Sequence, residues 1–262
     1  MKKILKNQTL QSLMWIILIV VIWEVSSQTG MVNNYILPKF SDVIGAMVNQ
    51  ICFGELGHQI LNSLTVIILG FFVSVAISII ITALCVLSKV CKSLFVTLCT
   101  IFNPLPGMAL LPLIMMWFGI GNGAMIALIV HGVMWPLVTN LLGGIKNVPQ
   151  IYDEWADNIE LSPIIKVKEV YLFSVMPSFI SGLRIGWGRA WRALISAEMV
   201  FGMIGSLGGI GYYIYTNRAY ANMTNVIVGI VVIIIIGLIV DRVVFYTIEK
   251  LTVMKWGMSI ER

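Results

Sequence analysis

ILNSLTVIILGFFVSVAISIIITALCVL, from Ile60 to Leu87, carries no charged residue along its whole length. A bilayer crossing needs roughly 20 residues of α-helix, so this run is long enough to span. Within it Gly70, Ser74, Ser78 and Thr82 recur every four residues. On a helix they form one line of small side chains where a neighbouring helix can come close.

Working outward, similar apolar runs lie at Leu13 to Val25, Leu94 to Phe118, Ala124 to Leu142, Ile180 to Phe201 and Val226 to Tyr246. The sequence therefore predicts an all-α polytopic membrane protein with about six transmembrane helices, the first of them short. Composition agrees. Hydrophobic residues make up 59% of the 262, charged residues only 11%, and the mean hydropathy is +0.95, which leaves too little polar surface for a soluble fold. The Lys2, Lys3 and Lys6 start resembles a signal peptide, but no small-residue cleavage site follows, so the first run is read as a retained helix.

The basic residues set an expected orientation. Lys2, Lys3, Lys6, Lys89, Lys92, Lys146, Lys166, Lys168, Lys250, Lys255 and Arg262 fall on one side, against Lys39 and Arg218 on the other. Lysine and arginine accumulate in cytoplasmic loops, so both termini and the segment after Lys146 are expected in the cytoplasm. The net charge of +5 follows from this asymmetry, with no nucleic-acid partner required. Cys52, Cys85, Cys91 and Cys99 form no CxxC pair, and no metal-ligand cluster or hydrolase motif is present.

Lys146 to Glu169 is the long polar interval of the chain. A helix is expected to start at Pro149, with Asp153 and Glu154 near its first turn, where the helix dipole favours acids. Ile151, Trp155 and Ile159 then share one face. Ser162 followed by Pro163 is expected to end this helix and cap a second one. The hairpin, at about 147–170, is either a surface that touches a soluble partner or a plain solvated connection.

Two interruptions stand inside the spans. Asn103, Pro104, Leu105, Pro106 and Gly107 break the third about ten residues from its start, ~15 Å deep in a ~30 Å core. Backbone carbonyls freed by two prolines persist there only when covered by protein or lining a polar cavity. The break therefore marks either a transport pathway or a packed kink. The fifth span holds Arg184, Arg189, Arg192 and Glu198 among Gly182, Gly186 and Gly188, and charges in a membrane face a bundle interior or water. Arg189 and Arg192 either give positive potential along the route of an anion or form buried pairs. Glu198, six residues from Arg192, needs a partner on another helix. Gly202, Gly205, Gly208, Gly209 and Gly211 are expected to form a flexible outer loop. His131 and Glu24 are read as satisfied structural groups.

These segments together resemble the permease subunits of binding-protein-dependent ABC importers, in the branch serving nitrate, taurine and aliphatic sulfonates. The resemblance covers nearly the whole chain. It rests on LPKFSDVIGAM from Leu37, NPLPGMALLPLIMMWFGIG from Asn103, GLRIGWGRAWRALISAEM from Gly182, GGIGYYI from Gly208 and GLIVDR from Gly237. In the family's cytoplasmic coupling motif, Glu154 and Ala156 fit, Trp155 replaces an alanine, Glu160 stands at the glycine, Val170 and Leu172 fit, and Phe173 replaces a proline.

The resemblance implies one type I ABC importer permease-like domain over 1–262 in a prokaryotic plasma membrane. It implies ATPase-coupling residues Asp153, Glu154, Trp155, Ala156, Ile159, Glu160 and Leu161, and pathway residues Asn103, Leu105, Met108, Trp187, Arg189, Arg192 and Glu198. The implied partners are two ATPase subunits, which would hold the ATP and Mg, a second permease chain, identical or different, and an extracytoplasmic substrate-binding protein. The chain itself has no nucleotide-binding motif, so no catalysis or cofactor is expected in it. A second class of function, an ion-coupled secondary transporter or channel using the buried charges directly, is kept beside this one.

Overall fold

The computed structural model describes residues 8–162, 165, 170–202 and 208–256, and among them every regular element is helical. In chain order these are α1 (Gln8–Gln28), α2 (Phe40–Cys52), α3 (Leu56–Leu87), α4 (Lys89–Phe102), α5 (Leu111–Phe118), α6 (Asn122–Lys146), α7 (Gln150–Asn158), α8 (Leu172–Phe201), α9 (Ile210–Ala219) and α10 (Met223–Ile239). After α10 the same rod continues through π-helical turns at Val240–Phe245 and Lys250–Met254.

Among the described residues, four helices are long and apolar enough to cross a membrane: α1, α3, α6 and α10 with its extension. The segment read as the third span bends by 96° between α4 and the turn leading into α5, so it counts as a fifth only if both arms form one broken crossing. The fifth expected span lies within α8, whose 30 residues are long enough. Its three arginines and one glutamate make it less apolar than the other four. The six-span count is thus not confirmed by length and hydropathy, because charges along α8 and a proline break erase the apolar signature. Nor is the first helix short: α1 has 21 residues, extending the apolar run at both ends.

α3, α6 and α8 form the centre of the molecule. Their core includes Ile67, Leu128, Ile129, Val133, Leu137, Ala190 and Leu194, all nearly or fully buried. The α6 and α8 backbones approach closely because glycine lies at the crossing. A Cβ at Gly186 would stand 2.9 Å from Val133 Cγ1, and one at Gly182 would meet Leu137 and Asn140.

The small-residue line on α3 is buried as well. Gly70 lies against Ile129 of α6, while Ser74, Ser78 and Thr82 donate their hydroxyls to the carbonyls of Gly70, Ser74 and Ser78. These hydroxyls satisfy themselves on their own helix, so the stripe can face a neighbour without unpaired polar atoms.

On the periphery, Glu24 of α1 accepts from the amide and hydroxyl of Ser41 at 3.2 and 3.0 Å, which places an acid at the N-terminus of α2. Arg184 on α8 pairs with Asp241 at 3.1 Å and Glu249 at 3.3 Å, and its guanidinium lies 5.8 Å from the Phe245 ring centroid. At ~100° per residue, positions eight apart on an α-helix drift by about 80°. The wider π turn between Asp241 and Glu249 removes that drift and lines both acids up on one arginine.

Candidate functional site

Among the described residues, a cavity with polar groups in its wall lies where the α4–α5 break meets α6 and α8. Its volume is about 440 Å³. The break supplies Phe102 to Met108, α6 supplies His131 and Gly132, and α8 supplies Arg189, Arg192, Ala193 and Ser196.

The sequence dictates the break residue by residue. α4 starts from Ser88, whose hydroxyl accepts from the Cys91 amide, and runs until the prolines remove the next amide donors. Other donors then meet the carbonyls around the break. Phe102 accepts from the Leu105 amide at 3.2 Å, Pro106 accepts from the Ala109 amide at 2.9 Å, and the Asn103 carbonyl accepts from Arg189 Nη1 at 3.1 Å. The same Nη1 donates to Asn103 Oδ1 at 2.6 Å. Arg189 therefore latches the end of α4 to the middle of α8.

Arg192 differs. It is exposed into the cleft and has no hydrogen bond or ion pair among the described residues. Both ring nitrogens of His131 are shielded and unpartnered, its ring meeting Phe102 and Trp135 edge-on at 6.4 Å. Among the described residues, no carboxylate lines the cavity.

Of the residues expected on a pathway, Asn103, Leu105, Met108, Arg189 and Arg192 share this cavity, while Trp187 and Glu198 do not. Trp187 packs edge-on to Phe71 of α3 at 5.6 Å and stacks on Trp191. Glu198 is 2% exposed and holds three helices together. Its Oε1 accepts from the Ser63 hydroxyl of α3 at 2.6 Å and its Oε2 from the Gly211 amide of α9 at 2.8 Å. The Ser63 oxygen in turn accepts from the Ile210 amide at 3.0 Å. At ~100° per residue Glu198 sits about 180° around α8 from Arg189, which is why it meets α3 instead of the break. His131 is not the satisfied structural group expected from sequence, since neither ring nitrogen has a partner among the described residues, and the fold brings it and Ser196 to the cavity wall. Ser196 is seven residues beyond Arg189 and so returns to the same face, a signal that was available.

The glycine-rich outer segment is not a flexible loop where it is described. Gly211 lies inside α9, and a Cβ on Gly209 or Gly211 would run into Glu198. Gly208 has φ +64 and its carbonyl accepts from Asn62 Nδ2 at 2.6 Å. Gly205 lies outside the described residues.

On the polar side, α7 begins after Pro149, which stands at the N-cap with extended backbone, one residue earlier than a first-turn proline. Ile151, Trp155 and Ile159 are 67, 55 and 49% exposed, so the shared apolar face is open, while Ala156 is buried. Glu154 and Glu160 are also exposed, and Leu161 is half-buried. α7 ends before Ser162. The Leu161 amide donates to the Ala156 carbonyl at 3.0 Å and the Glu160 amide to the Asp157 carbonyl at 3.1 Å, with Glu160 at φ 55. That is a helix end built around a left-handed residue, the position glycine prefers. Ser162 Oγ accepts from the Ile165 amide at 3.5 Å, in the manner of a cap, while Pro163 and most of the second helix of the hairpin lie outside the described residues.

Glu160→Gly should relieve the left-handed strain, by about 0.5–1 kcal/mol. Hydrogen exchange of the Glu160 and Leu161 amides is expected to slow a few-fold in that variant. Faster exchange would show that side-chain contacts of Glu160 outweigh the backbone term.

Comparison with known proteins supplies the family. Residues 74–252 match the model of the binding-protein-dependent transport system inner membrane component. The chain is 32% identical over 237 residues to a Methanocaldococcus jannaschii protein named as an ABC transporter permease, covering 89% of this chain and 87% of that one. It is 28% identical over 243 residues to SsuC of Bacillus subtilis, named as an aliphatic sulfonates transport permease, covering 93% and 86%. It is 29% identical over 203 residues to the nitrate import permease protein NrtB of Synechocystis, covering 76% and 70%. Neither composition nor the cleft alone would select this family, but the match spans α3 to the π-helical extension and includes both the break and α8. The chain belongs to the binding-protein-dependent transport system inner membrane component family, as a membrane-embedded permease subunit of the ABC importer branch that includes its sulfonate and nitrate relatives.

Proposed function

We propose that this chain forms one half of a permease pair that carries a small oxyanion, of the sulfonate or nitrate kind, inward across a prokaryotic plasma membrane. Two ATPase subunits bind ATP and Mg and drive the cycle, and an extracytoplasmic binding protein delivers the solute. The observation that carries the reading is a cationic, carboxylate-free cleft built on a broken helix, within a chain of this family. Broken helices near the midplane collect binding groups around which transporters alternate. The named solutes of the sulfonate and nitrate relatives are anions, which two guanidinium groups suit.

The open face of α7, with Trp155 at its centre between Ile151 and Ile159, is the surface for the ATPase, and the coupling residues we assign to this segment are Asp153, Glu154, Trp155, Ala156, Ile159, Glu160 and Leu161. Closure of the ATPase pair would move α7 and reorient the two permeases as rigid bodies. Both termini and the hairpin at about 147–170 lie in the cytoplasm. Accordingly, a cysteine at Asn147 should be labelled by an impermeant reagent only from the cytoplasmic side and one at Asn222 only from outside. Labelling of both from one side would overturn this orientation.

Isolation of the full-length chain from its native membrane in mild detergent tests the assignment. An ATPase subunit should accompany it in equal ratio. A chain recovered without ATPase, whose solute flux follows an ion gradient, would favour the secondary transporter or channel instead.

A further inference from the structure

The cleft holds two cations with unequal duties. Arg189 has its Nη1 committed to the carbonyl and side-chain oxygens of Asn103, so it holds the break in place. Arg192 lines the same cavity, one helical turn on, with no partner among the described residues. The nearby acid of α8, Glu198, is fully engaged by Ser63 and Gly211 on the far side of the helix. An uncompensated guanidinium is costly at membrane depth unless something neutralises it. No described residue in the cavity wall does so. The wall instead offers the neutral hydroxyl of Ser196, with the His131 ring packed beside the break, its nitrogens turned away from the open space. A volume of about 440 Å³ admits a small solute together with some water.

We propose that the permease chain has its own oxyanion-binding station in this cleft, with Arg192 as the charge that engages the solute, Ser196 as its neutral hydrogen-bonding partner, and Arg189 as a positioning residue that keeps the α4–α5 break open beside them. The proposal rests on the importer reading for the class of solute and goes beyond it in giving the permease an affinity separate from that of the binding protein. The station binds weakly and reversibly, because a carried solute must also leave. A guanidinium fork addresses two oxygens of a sulfonate or nitrate at once, which an ammonium cannot.

The test is binding of radiolabelled methanesulfonate to the full-length chain in nanodiscs at constant low ionic strength. Saturable binding is expected, displaced by unlabelled nitrate and left intact by choline. Arg192→Gln should weaken it by roughly tenfold or more, the loss of a charge-assisted contact, and Arg192→Lys should recover part of the difference. A second measurement needs no variant: methanesulfonate should slow the reaction of Arg192 with phenylglyoxal in the wild-type chain, read by mass spectrometry. Absence of saturable binding, binding by Arg192→Gln equal to wild type, or an unprotected Arg192 would each overturn the station. Its failure is separable from that of the importer reading. ATP-driven transport unaffected by Arg192→Gln would leave the importer standing without the station, whereas Arg192-dependent binding in a chain that associates with no ATPase would do the reverse.

Discussion

Glu198→Ala is expected to remove about 2–5 kcal/mol of stability, enough to leave little folded permease in the membrane. The carboxylate is the common acceptor for the Ser63 hydroxyl and the Gly211 amide, so its loss strands donors from α3 and α9 in an interior that water does not reach. It also leaves a void where Gly209 and Gly211 are packed against the side chain. Glu198→Gln should be much milder, since its carbonyl oxygen can accept from Gly211 while its amide group donates to Ser63, whose hydroxyl both donates and accepts. Thermal stability of the detergent-solubilised chain, followed by size-exclusion chromatography, checks both. A glutamine variant that folds normally but carries no solute would assign Glu198 a role through its charge and contradict the purely structural account.

Trp155→Asp is the second large effect. The side chain is 55% exposed at the centre of the open face of α7, flanked by Ile151 and Ile159, and an aromatic anchor seated in a groove is typically worth 2 kcal/mol or more, up to ~4. Placing a charge there should weaken ATPase association by on the order of 100-fold and abolish solute accumulation, with the permease still inserted. Co-purified ATPase at the wild-type ratio would move the coupling surface elsewhere. The variant also separates α7 from the cleft: binding of anion to the isolated chain should be untouched by it.

Much of this architecture is legible in local sequence. The apolar runs become helices, the prolines at 104 and 106 break one of them, and the four-residue repeat from Gly70 to Thr82 becomes a packing face. What local reading lacks is the direction in which α8 turns each charge. Arg189 meets Asn103 across 86 positions and Glu198 meets Ser63 across 135, and nothing in the neighbouring residues encodes those pairings. Helical phase carries part of the answer, since Trp187 and Glu198 both lie roughly opposite Arg189 at ~100° per residue. Three further features escape for a similar reason. The end of α7 depends on Glu160 entering the left-handed region, which a non-glycine residue does not announce. The π turn after Ile239 makes sense only once Arg184 on another helix is seen to meet both Asp241 and Glu249. His131 reads as an isolated polar residue until the break is folded against it.

The central claim is that this chain moves a small oxyanion on energy drawn from ATP in partner subunits. Its most direct test is accumulation of labelled solute in liposomes holding the purified permease–ATPase complex, with ATP and Mg enclosed with the ATPase and the binding protein at the opposite face. The account predicts accumulation of an anion such as a sulfonate or nitrate only when ATP, Mg and loaded binding protein are all present, insensitive to collapse of proton and sodium gradients. Accumulation that persists without ATP and disappears when an ion gradient is collapsed would contradict it.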